Sequence, residues 1–172
     1  EINVRMPGQP PQQYHYRVVD HPTLTPILAA LTPMFSVSAD QEMPIENTLH
    51  LHGQLSFTAQ RTITIDSLIP GASRDTLLFE LLPVIAIMMQ NPHERLKFEQ
   101  MRLSADVEPV YRAGSMVNAR LDRTEVAPGD SLGVTIQVRP YQKPPHMYRT
   151  TIEIPSNIPE GDYQLAVTNA SS

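Results

Sequence analysis

Leu121-Asp122-Arg123-Thr124-Glu125-Val126-Ala127-Pro128-Gly129-Asp130-Ser131-Leu132-Gly133-Val134-Thr135-Ile136-Gln137-Val138-Arg139-Pro140-Tyr141 reads as a strand, a Pro-Gly-Asp turn and a second strand that stops at Pro140. The second half alternates without a slip. Leu132, Val134, Ile136 and Val138 point one way, and Gly133, Thr135, Gln137 and Arg139 point the other. Period 2 marks a half-buried strand in a sheet with one wet face. The stretch carries fold information and no chemistry.

Working outward, Arg112-Ala113-Gly114 turns the chain into Val117, Ala119 and Leu121 before this stretch. After it, Tyr148, Ile152 and Ile154 face inward, and a last run sets Tyr163, Leu165 and Val167 on one face. From about Gly114 onward only strands are expected, in the spacing of an immunoglobulin-like β-sandwich. The reading is therefore a mainly β protein with an immunoglobulin-like part over 114–172. Too few strands lie there to close a sandwich, so strands of the first part are expected to complete it.

The first part, 1–113, reads as α+β with one short and one long helix. Two strand-like runs flank Pro7-Gly8-Gln9-Pro10-Pro11, the second with Tyr14, Tyr16 and Val18 on one face. A short helix is predicted over about 25–32, with Thr25 as N-cap, Pro26 in the first turn and Pro33 as the stop. Residues 36–47 read as a loop. Asn47 to Thr58 is a strand with Leu49, Leu51, Leu55 and Phe57 on one side and His50, His52, Gln54 and Ser56 on the other. Gly53 breaks the apolar face and predicts a bulge or a close approach. Arg61 to Ile65 alternates again, and the short Ala59-Gln60 connection makes a hairpin.

The long helix is predicted over about 73–91, capped by Ser73 and ended by Asn91-Pro92. Its stripe is Leu78, Leu81, Leu82, Ile85, Met88 and Met89, and Pro83 is expected to kink or split it. Leu96 to Val107 is a strand whose apolar face changes parity, from Leu96 and Phe98 to Met101, Leu103, Ala105 and Val107. A bulge near Glu99-Gln100 would produce that change.

Composition excludes several classes of function. Net charge is −5 with no basic run, which argues against a nucleic-acid partner. The chain has no cysteine, hence no disulfide framework and no thiolate metal site. The apolar run from Leu77 to Met89 is too short to cross a bilayer and contains Glu80 and Pro83, so the chain is not read as membrane-spanning. The 17 prolines suit a turn-punctuated β-rich domain. The start Glu1-Ile2-Asn3-Val4-Arg5 lies inside strand-like sequence without the pattern of a signal peptide, so the chain is expected to be a piece of a longer protein.

Few residues suggest chemistry. His50-x-His52 is the best metal candidate, because residues i and i+2 of a strand share a face, with Glu46 or Asp66 nearby. Spacing fixes no third ligand, and a solvent-facing pair opposite the Leu49/Leu51/Leu55 face is the plainer reading. His15, His21, His93 and His146 are scattered. Neither a Gly-x-Ser-x-Gly elbow nor a Gly-rich phosphate loop occurs. Asp20, Asp122 and Asp130 read as turn and cap residues. No catalytic residue, cofactor or metal is therefore assigned. The loop Pro140-Tyr141-Gln142-Lys143-Pro144-Pro145-His146-Met147-Tyr148 is a candidate interaction loop through Tyr141, His146 and Tyr148.

The block Leu121 to Asp130, followed by its alternating strand into Arg139-Pro140-Tyr141, resembles the C-terminal region of SpoIVB-type serine peptidase family proteins. Tyr14-His15-Tyr16-Arg17-Val18-Val19 leading to Leu24-Thr25-Pro26, and Ile154-Pro155 after the Pro-Tyr loop, are similar too and occur in the same order. The resemblance implies an exported bacterial protein of the chymotrypsin clan. In that family the nucleophilic serine sits in a Gly-Ser-Gly-Ser-Pro type loop in an upstream domain. Gly114-Ser115-Met116 does not match it, so no catalytic residue carries over. The implied role is a non-catalytic, extracytoplasmic accessory module whose partner is the upstream peptidase domain or another protein. A ligand- or glycan-binding β-sandwich is the alternative, lowered by the absence of Trp, the usual stacking platform for sugars. A metal-dependent enzyme using His50 and His52 stands third.

Overall fold

The computed structural model describes residues 1–39 and 42–168. It is mainly β, with two sheets and two helices, and divides into two compact units, Glu1–Arg112 and Ala113–Ser172.

The first unit holds, in chain order, β1 (Ile2–Arg5), β2 (Gln12–Tyr14), α1 (Leu24–Val37), β3 (Thr48–Phe57), β4 (Arg61–Pro70), α2 (Thr76–Met89) and β5 (Phe98–Glu108). Its five strands run in the order β2-β1-β5-β3-β4. β1 lies parallel to β5, and the other pairs are antiparallel. Alternation decides the layering. Ile2, Val4, Leu49, Leu51, Leu55, Phe57, Met101, Leu103, Ala105 and Val107 form one buried core with Ala29, Ala30, Leu77, Leu81 and Ile85 of the helices. Fully burying a Leu or Phe side chain contributes about 1.5–3 kcal/mol, so this face sets the register of the sheet. The opposite face is polar.

Three details of β3 follow from its neighbours. Ala59 and Gln60 both have φ of 57°, the left-handed pair at the centre of the turn that Arg61 N–H closes on Thr58 O. Ser56 opposes Gln100 and Phe57 opposes Phe98, which leaves Glu99 as the extra residue of a bulge. That bulge is the cause of the parity change along β5. Gly53 has φ of +149°, and a Cβ there would stand 2.1 Å from the Arg102 carbonyl oxygen. It marks a close approach of β3 to β5.

The helices differ from expectation. Both span 14 residues, so neither is the short or the long one, and α1 runs past 32 into what reads as loop. Pro33 lies inside α1 because the carbonyl it would orphan, that of Ala29, accepts the Thr32 hydroxyl at 2.8 Å instead. Ser36 Oγ and Ser38 Oγ donate to the carbonyls of Thr32 and Met34. Thr25 is not the cap. Its hydroxyl donates to Val19 O and accepts from His21 N–H, while His21 Nδ1 accepts from the N–H groups of Thr23 and Leu24. Ser73 does not cap α2 with its side chain; its N–H donates to Thr76 Oγ1 at 2.9 Å. Pro83 does not split α2. The carbonyl that loses its partner there belongs to Phe79, whose side chain is exposed, on the side of the helix where water is at hand.

The second unit contains β6 (Gly114–Leu121), β7 (Ser131–Pro140) and β8 (His146–Glu153) as one antiparallel sheet in the order β6-β7-β8. Gly129 takes φ of +88° in the Pro-Gly-Asp turn. The turn is tied down by Ala127 N–H to Asp130 Oδ2 and by Ile154 N–H to Asp130 O. Asp122 Oδ1 accepts from Gly133 N–H, and Asp122 N–H donates back to Gly133 O. One expectation is corrected. Tyr163, Leu165 and Val167 alternate but form no strand. The strands of the first part pair among themselves in the first sheet.

Candidate functional sites

The polar face of the first sheet gathers what chemistry the chain offers. On β3, His50 and His52 point away from the core, and the ladder sets Asp106 of β5 opposite His50 and Asp66 of β4 opposite His52. The two imidazole rings lie 4.7 Å apart. His50 Nε2 is 2.8 Å from Asp66 Oδ1. His52 Nδ1 faces Asp106 Oδ2 at 3.8 Å, and that nitrogen is buried without a hydrogen-bond partner. Arg5 of β1 reaches the other carboxylate oxygen, Asp106 Oδ1, at 3.4 Å.

One ligand atom each from His50, His52 and Asp106 falls within 4.8 Å of the others. Of the carboxylates suggested by sequence, Asp66 is present as the partner of His50, whereas Glu46 is not in this group. No sequence pattern points to Asp106. Parity along β5 puts it on the polar face, but its position across from His50 depends on a pairing register that no motif announces.

In the second sheet, cross-strand pairs share a face. Ala119, Leu121, Leu132, Val134, Ile136, Val138, Tyr148 and Ile152 therefore lie together, with Val117 displaced at an irregularity between Met116 and Asn118. Among the described hydrophobic residues of this unit only Leu132 and Val134 are buried. Tyr148 is 56% exposed and Leu121 41%. Of the loop residues, His146 and Tyr148 stand on this apolar face, opposite Val138 and Ile136, and Tyr141 lies in the turn between β7 and β8.

No helix among the described residues is long and apolar enough to cross a membrane. No protein-family model, curated protein or solved structure matches this chain.

Proposed function

We propose that this chain is a non-catalytic accessory module of a larger, exported serine peptidase-like protein. In this reading β6-β7-β8 is one layer of an immunoglobulin-like sandwich, and the second layer comes from the peptidase domain it accompanies. The observation that carries the reading is the half-open apolar face bearing Leu121, Ile136, Tyr148 and Ile152. A three-stranded sheet with an apolar face is stable when that face packs on something, and contiguous exposed apolar surface marks interaction sites. The resemblance of Leu121 to Tyr141 to the region that follows such peptidases supplies the kind of partner.

The test is to express the domain encoded upstream of this chain and measure its complex with the chain by analytical ultracentrifugation. A complex weakened at least about tenfold, or 1.4 kcal/mol, by Tyr148→Asp with Leu121→Asp is the expected result. A folded upstream peptidase domain that does not bind would overturn the proposal, as would peptidase activity of the isolated chain that disappears on replacing one serine.

A further inference from the structure

We propose that His50, His52 and Asp106 form a binding site for one divalent transition-metal ion of the zinc class. The argument begins with donor type. Two imidazoles and one carboxylate suit zinc and its neighbours, whereas magnesium and calcium prefer all-oxygen shells. Distance comes next. Two ligands about 2.1 Å from a tetrahedral ion stand roughly 3.4 Å apart. His52 Nδ1 and Asp106 Oδ2 are 3.8 Å apart already, so this pair closes on an ion by a few tenths of an ångström, and the three ligand atoms all lie within 4.8 Å of one another.

The surroundings favour the same atoms. Asp66 accepts a hydrogen bond from His50 at Nε2, which leaves Nδ1 with its lone pair for a metal. That is the carboxylate–histidine–metal arrangement in which an outer carboxylate fixes the tautomer and ring orientation. Arg5 occupies Asp106 Oδ1 and leaves Oδ2 toward His52. His52 Nδ1 is buried without a hydrogen-bond partner, an unfavourable state for a polar atom that a bound cation removes.

An ordinary solvated histidine pair would let that nitrogen reach water. Here it is buried. Gly53 contributes by letting β3 approach Arg102 and Leu103 more closely than any side chain permits. All three ligands sit on paired strands, β3 and β5, so the constellation is held by the ladder rather than by loops. The half-exposed His50 and His52 side chains leave the remaining coordination positions to solvent or an exogenous ligand.

The experiment is zinc titration of the whole chain by isothermal calorimetry after chelator treatment, with circular dichroism of every variant. One zinc per chain is expected. His52→Ala should abolish binding, and Asp66→Asn should weaken it about tenfold. His93→Ala, outside the site, should leave it unchanged, and magnesium should not compete. Absence of binding to the folded wild type overturns the proposal. So does affinity unchanged in a folded His52→Ala variant, or lost in His93→Ala.

Discussion

Asp106 divides its carboxylate between two neighbours: Oδ1 stands 3.4 Å from Arg5 Nη1, and Oδ2 stands 3.8 Å from His52 Nδ1. The first contact is a surface ion pair between parallel strands, and the second faces a nitrogen with no other partner. Arg5 thereby orients Asp106 without touching the histidines. Arg5→Met should cost less than about 1 kcal/mol of stability, as exposed pairs do. The same variant should weaken zinc binding severalfold, because the carboxylate is then free to rotate. Urea unfolding and zinc titration of one sample separate the two effects.

Gly53 is the position where β3 tolerates no side chain. With a Cβ placed 2.1 Å from Arg102 O and φ at +149°, Gly53→Ala must push β3 and β5 apart or shift their register. A loss of about 3 kcal/mol or more is expected from backbone strain and overpacking together. For a unit of this size that lowers the melting temperature by more than about 10 °C. Thermal unfolding by circular dichroism checks it.

The β3-β4 hairpin points the other way. Ala59 and Gln60 occupy left-handed positions that cost an ordinary L-residue roughly 1–2 kcal/mol each. Replacing them with Asn-Gly, the preferred pair for this turn, should stabilise the protein by about 1 kcal/mol. An unchanged or lower denaturation midpoint would show that the strain is relieved elsewhere.

Lys97 donates to Asp20 at 2.9 Å, and that hydrogen bond followed by the attraction of the carboxylate raises the lysine pKa above its usual 10.5. A raised folded pKa means the contribution is complete below the ordinary lysine value and is lost as pH rises through the folded one. Asp20→Asn should return the Lys97 titration toward 10.5, as read from its side-chain ¹³Cε shift. Because the Lys97 side chain is exposed, the effect belongs to the titration curve and not to the melting temperature.

Much of the first unit is legible in the sequence because it rests on parity. Leu49, Leu51, Leu55 and Phe57 define the core face of β3, and the same alternation places His50 and His52 together on the other. The parity slip between Phe98 and Met101 announces the Glu99 bulge. Non-local facts escape such reading. That Asp106 stands across from His50 is a matter of register between strands more than fifty residues apart, which only the folded sheet fixes.

Local rules also lose where a side chain substitutes for the backbone. Pro33 stops a helix in principle, yet the Thr32 hydroxyl takes the Ala29 carbonyl and the helix runs on. Alternation at Tyr163, Leu165 and Val167 predicts a strand, but a strand also needs an edge to pair with, and these residues have no ladder partner among the described residues.

The most direct measurement is a long-range ¹H–¹⁵N imidazole spectrum of the whole chain recorded with and without one equivalent of zinc. The geometry predicts that Nδ1 of His50 and of His52 shift together on zinc addition, while the other four histidines, His15, His21, His93 and His146, keep their resonances. Unmoved His50 and His52 signals, or shifts confined to those other four, would contradict it.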